Sequence, residues 1–205
     1  VTRKKLAAIL QDGSASGTHR LHALWALFGC EEPDTETVNA LTRHPDATIR
    51  SWSARAIGNK PDKNQATSER LAALAKDESI DVRLQALIAA RKSLPPNQAI
   101  KLMVRAAAER ETRDLVIPHD PVLPNIAWHN ILPLRPTTTA DVLETTRDGK
   151  WQSSLTLIVV WPKLVEWLST TGTSGVELLA EYLKAAVDEP QGMHALVDET
   201  MILLA

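Results

Sequence analysis

One short pattern, written four times in a chain of 205 residues, limits what this sequence can fold into. Its clearest copy is Asp46-Ala-Thr-Ile49-Arg50, followed by Ala54 and Ile57. Another reads Ser79-Ile-Asp81-Val82-Arg83, then Leu87 and Ala90. An earlier copy reads Ser16-Gly-Thr-His19-Arg20, then Leu24 and Leu27; a later one reads Asp120-Pro-Val-Leu123-Pro124, then Trp128 and Ile131. In each, a helix-capping residue stands four positions before an anchor (Arg20, Arg50, Arg83, Pro124), and apolar residues follow at +4 and +7. That spacing puts the apolar pair on one helix face. The anchors are 30, 33 and 41 residues apart, the last interval being lengthened by an insertion from Glu111 to His119. Such a period marks a helical solenoid, whose units bury their apolar faces only by stacking.

The caps set the boundaries. Ser16, Asp46, Ser79 and Asp120 can accept from the free N–H groups of the helix that follows. Pro121 then suits a first helical position, where no N–H is needed. These signals predict second helices over 17–29, 47–58, 80–93 and 121–132, with Gly29 and Gly58 ending the first two in a left-handed conformation. Partner helices precede them at 2–11, 35–43, 66–76 and 97–111. In this frame Leu24, Ala54, Leu87 and Trp128 are equivalent core positions. The chain beyond residue 135 is helical but less regular. Asp141 to Thr146 reads as a short helix, and Trp151 to Ser169 as an apolar stretch that Pro162 kinks or restarts. Ser174-Gly-Val-Glu177 reads as a capping box and Pro190 opens a last helix. Val-rich Leu155 to Val160 is the one segment ambiguous between helix and strand. The expectation is an all-α protein, with a repeat array over 1–135 and an irregular helical extension, or degenerate repeats, over 136–205.

The Asp-x-x-Val-Arg signature with spaced Ala and Leu resembles a HEAT repeat, most closely over Asp46–Gly58 and Ser79–Ala90 and more weakly over Ser16–Gly29. The resemblance implies a right-handed α-α superhelix and a ladder of Asp and Arg between neighbouring hairpins, here Asp46, Arg50, Asp81 and Arg83. Arg suits that role because its fork can satisfy turn carbonyls and a carboxylate together. Tetratricopeptide repeats have a similar period, but their Trp/Gly/Tyr/Pro pattern is absent. A narrower resemblance rests on the order of His22-Ala-Leu-Trp25-Ala-Leu, His44-Pro-Asp46, Asp77-Glu-Ser79 and Ala127-Trp128-His129. It is similar to the HEAT segment of large PVC-type bacterial proteins, over about residues 1–135. Those proteins join a predicted sugar-dehydrogenase-like propeller, a HEAT array and a c-type cytochrome. The resemblance implies a connecting or docking module of a larger, extracytoplasmic redox protein. The haem-attachment motif Cys-x-x-Cys-His does not occur in this sequence.

Composition narrows the chemistry. Formal net charge is −2, which gives the whole chain no electrostatic case for nucleic acid. The charge is uneven: residues 1–113 hold 18 Lys/Arg against 13 Asp/Glu, and residues 114–205 hold 5 against 12. The basic half can attract an acidic partner, although helical repeats carry solvated charge wherever an outer face falls. Cys30 is the only cysteine, so there is no disulfide within the chain and no Cys cluster for zinc or iron–sulfur. No apolar run approaches the roughly 18–20 residues that cross a bilayer. The opening Val1-Thr-Arg-Lys-Lys-Leu6 reads as mid-helix, as in a segment of a longer protein.

Candidate site residues come from the repeat frame. Positions +2 and +5 from each anchor face away from the core: His22 and Trp25, Trp52 and Arg55, Gln85 and Ile88, Ile126 and His129. Stacked, they form a stripe rich in Trp, His and Arg, residue types common at interaction hot spots. The plainer alternative is that Trp25 and Trp52 pack under neighbouring helices. His19 and His22, three apart, can present two nitrogens to a metal, but no third ligand follows on that turn. Trp151, Trp161 and Trp167 sit in apolar context and read as core. There is no Gly-rich phosphate loop, nucleophile elbow or His-Glu-x-x-His, and hence no cofactor motif. The expected function is therefore a non-catalytic scaffold or protein–protein interaction module. Its binding residues are His22, Trp25, Trp52, Arg55 and His129, and its partner is a protein or another domain of the parent chain. The enzymatic alternative is a HEAT-like DNA glycosylase acting on alkylated bases, with Trp52, Trp128 and Asp114 in the concave site.

Overall fold

A computed structural model describes residues 2–30, 34–59, 64–107, 122–134, 155–187 and residue 200. The described residues form ten α-helices and one 3-10 turn, with no strand. The expected boundary at 135/136, the short helix at Asp141, the cap Asp120, Asp114, Trp151 and the start of the Pro190 helix lie outside the described residues. The chain divides into two compact units, residues 1–94 and 95–205.

The first unit contains α1 (Thr2–Gln11), α2 (Gly17–Cys30), α3 (Thr35–Thr42), α4 (Ala47–Gly58), α5 (Gln65–Leu74) and α6 (Ile80–Ser93). Consecutive helices pack in pairs: α1 with α2, α3 with α4, α5 with α6. The second members also meet one another, α2 against α4 and, most extensively, α4 against α6. Side-chain caps account for several of the starts. Asp34 accepts from Thr37 N at 2.7 Å, Asp46 from Thr48 N at 2.9 Å and Asn64 from Thr67 N at 2.9 Å. Ser16 accepts from His19 N at 3.2 Å. Ser79 stands at the cap of α6 but makes no side-chain cap bond. Instead its own N–H is held at 2.9 Å by Asp77 Oδ1.

The core follows the predicted frame. Leu24, Ala54 and Leu87 are fully buried, as are Leu27, Ile57 and Ala90 at the following turn. Leu10, Ala23, Leu24, Leu27, Leu41 and Ile49 form one cluster, with Trp52 and Phe28 partly buried against it. Two glycine expectations need correction. Gly29 is an interior residue of α2, which runs through Cys30, and Gly58 is the last residue of α4; among the described residues only Gly172 has a positive φ. Gly58 is needed for a different reason. A Cβ there would lie 2.7 Å from both Cα and Cβ of Ala89, so glycine permits the close approach of α4 and α6.

The second unit contains α7 (Pro96–Ala107), α8 (Val122–Ile131) with a 3-10 turn at Leu132–Leu134, α9 (Leu155–Thr170) and α10 (Thr173–Val187). Here α7 packs on α8, α8 on α9 and α9 on α10. Trp128 and Ile131 are buried, as the frame predicts. Trp161 is buried against Tyr182 with ring centroids 5.1 Å apart, and its Nε1 donates to Thr200 Oγ1 at 2.9 Å. Trp167 is only half-buried. Pro162 lies within α9 rather than starting a new helix. Ser174 is not a cap: α10 begins at Thr173, and the Gly172 carbonyl accepts from Gly175 N and Val176 N. Gly172, at φ 91°, makes the turn between α9 and α10.

Candidate functional site

The α3–α4 and α5–α6 turns share one construction. In each, the residue six before the anchor turns its side chain back to accept the N–H two residues on. His44 Nδ1 accepts from Asp46 N at 3.0 Å, and Asp77 Oδ1 accepts from Ser79 N. The anchor then closes the turn. Arg50 Nη1 donates to the carbonyls of His44 and Pro45 at 2.8 and 2.9 Å; Arg83 Nη1 donates to those of Asp77 and Glu78 at 2.9 and 3.2 Å. Because His44 Nδ1 accepts a backbone N–H, Nε2 carries the ring proton and donates to Leu10 O, 3.1 Å away in the preceding pair of helices.

A charged ladder joins successive pairs. Arg50 makes a two-pronged contact with Asp77, Nε to Oδ2 at 2.7 Å and Nη2 to Oδ1 at 2.8 Å. Both side chains are about one-tenth exposed. Asp46, besides capping α4, lies 3.7 Å from Arg20. The carboxylate that bonds Arg50 is thus Asp77 and not the expected Asp81. Asp81 is exposed in the first turn of α6 and pairs with no described Arg or Lys. Two residues of register separate the two readings, since Asp81 lies beyond the turn that Arg50 reaches. Burial by itself raises the Asp77 carboxyl. The Arg50 bonds, the Ser79 N–H and the charges of Arg50 and Arg83 outweigh it and hold the group below its ordinary value. Arg50 is held above its own, chiefly by the Asp77 hydrogen bonds.

The outward residues of the first unit form one continuous stack. His22 and Trp25 have ring centroids 5.5 Å apart on α2. Trp25 meets Trp52 of α4 edge-on, with centroids 5.1 Å apart and planes at 71°. Arg55 lays its guanidinium carbon 4.9 Å from the Trp52 ring centroid. Such aromatic and cation–π contacts contribute about 0.5–1.5 kcal/mol each, enough to orient the surface without carrying the fold. Trp25 is 43% exposed, whereas Trp52 is half-buried and splits its ring between the stack and the core cluster. Beside Trp52 and Arg55 opens a shallow pocket of about 200 Å³, completed by Thr48, Ser51, Asp81 and Gln85. That is below the roughly 300–1,000 Å³ of most small-molecule sites and closer to the size of one side chain.

Four of the five expected binding residues therefore touch in series. The fifth, His129, is exposed on α8 in the second unit. Of the residues assigned to the enzymatic alternative, Trp128 is buried in the core of its unit and Asp114 lies outside the described residues. His19 and His22 are both exposed, and no group of three metal-ligating side chains occurs among the described residues. No helix among them is long and apolar enough to cross a membrane. Sequence reasoning missed Asp77, although its place six before Arg83 matches that of His44 before Arg50. It also missed the polar pocket, since Thr48 and Asp81 each lie two positions before an anchor, outside the +2/+5 stripe. Compared with known families, curated proteins and solved structures, the chain matches none.

Proposed function

We propose that this chain is a non-catalytic protein–protein interaction module, built as a HEAT-type array of helical hairpins with a helical extension closing its C-terminal side. The repeated turn, with an anchor Arg satisfying two carbonyls, and the Arg50–Asp77 rung between pairs support the repeat assignment. The observation that carries the function is the stack His22–Trp25–Trp52–Arg55. It is assembled from two successive second helices, oriented by its own ring contacts and left open to solvent at Trp25 and Arg55. An exposed Trp beside an exposed Arg is the composition of a hot spot. The acidic excess beyond residue 113 favours a protein over a nucleic acid as the partner.

A photoreactive phenylalanine analogue at position 22, introduced in source cells, tests the reading. The expected result is a discrete protein adduct that disappears when Trp25 and Arg55 are both changed to Ala. No adduct, or one indifferent to the double change, counts against a docking face.

A further inference from the structure

We infer that the Trp25–Trp52–Arg55 face receives an acidic peptide segment, one that sets a carboxylate on Arg55 and an adjacent apolar side chain on Trp25. The inference rests on the docking role proposed above and adds the chemistry of the partner.

The Arg55 guanidinium is exposed and positioned by the Trp52 ring, yet it makes no hydrogen bond or ion pair with any described residue. Its N–H edge is therefore pre-oriented for an acceptor from outside. A carboxylate is the natural one, because the guanidinium fork matches its two oxygens. Further along the same faces, toward the helix C-termini, α6 carries Arg91 and Lys92. Lys92 is held by the Asn59 amide at 2.9 Å, and neither pairs with a described carboxylate. The neighbouring carboxylate, Asp81, does not neutralise this end. It sits in the first turn of α6, seven residues before Ile88, the position equivalent to Arg55. That offset is about 10 Å along the axis at 1.5 Å per residue. The unit as a whole is also cationic, with 14 Lys/Arg against 11 Asp/Glu in residues 1–94. Next to this charge stands Trp25, 43% exposed, an apolar surface with no charge of its own. An acidic residue beside an aromatic or branched aliphatic one satisfies both features, as in other Arg-based recognition of acidic motifs.

A random seven-residue peptide library selected on the full chain, followed by titration of the enriched peptides, tests the inference. Expected are peptides with Asp or Glu next to Phe, Trp, Leu or Ile. They should bind at least tenfold more weakly to Arg55→Gln and to Trp25→Ala, but normally to Arg105→Gln, a charge-matched change on α7. Unaltered helical circular dichroism in each variant keeps a lost fold from being read as lost binding. Enrichment of neutral or basic peptides that depend on Trp25 but not on Arg55 would retain the docking face and overturn the acidic specificity. If no peptide prefers the wild-type chain over Trp25→Ala, both the specificity and the docking role fail.

Discussion

Arg50 shows how one residue decides the local structure. Its Nη1 satisfies two turn carbonyls, while Nε and Nη2 grip Asp77 across to the next pair of helices. Removing Asp77 leaves a nearly buried guanidinium without its counter-charge, which costs about 3–5 kcal/mol in comparable pairs. Asp77→Ala should therefore lower stability in chemical denaturation by about 3 kcal/mol, whereas exposed Asp81→Ala should stay within about 0.5 kcal/mol. Equal effects would show that the rung is misassigned. The pair also predicts an acid response. Asp77 is depressed in the folded protein, so the unfolded chain takes up its proton first as pH falls. Stability from the pair is complete above the ordinary Asp value near 3.8 and is lost as pH drops through the lower folded value. In Asp77→Asn that part of the acid limb should disappear from a series of melts between about pH 5 and 2. The anchors Arg50 and Arg83 were legible in the sequence because they repeat. Asp77 was not, because its counterpart His44 performs the same backbone task with a different side chain and turns its other nitrogen to Leu10 O.

At the scale of the element, the second helices fell where caps and apolar spacing put them: 17–30, 47–58 and 80–93 against predictions of 17–29, 47–58 and 80–93. Capping Ser and Asp residues with apolar +4 and +7 positions are local signals, so sequence carries them well. Termination was read less well. Gly58 was given a left-handed turn, yet its use is steric and depends on Ala89, 31 positions away and invisible to local pattern. Gly58→Ala gains roughly 1 kcal/mol of helix propensity. It also drives a methyl into the Ala89 backbone, and such overpacking costs about 1–3 kcal/mol. The net expectation is a lower melting temperature than wild type. A higher one would mean that α4 and α6 are not in the described contact. Gly175 is under a similar constraint in the second unit, where a Cβ would collide with the Leu168 carbonyl.

For the whole molecule, sequence gave the helical class and the series of contacts that brings Trp25 to Trp52, because +2 and +5 positions on adjacent second helices become neighbours once those helices pack. It did not give the exposure of each ring. Trp52 turns out to divide between core and surface, and that division is set by tertiary packing against Leu24 and its neighbours. Trp25 and Arg55 are thus the residues whose loss separates binding from folding. The central claim is that this stack is a docking surface and not a packing device. It is tested most directly by the affinity of the Trp25→Ala/Arg55→Ala chain for the protein captured at position 22, with thermal melting followed on the same samples. The account predicts a melting midpoint within about 3 °C of wild type, since exposed changes cost about 0.5 kcal/mol. It also predicts a more than tenfold loss of affinity, about 1.4 kcal/mol or more. Unchanged affinity, or a melting point lowered by 10 °C or more, would contradict it.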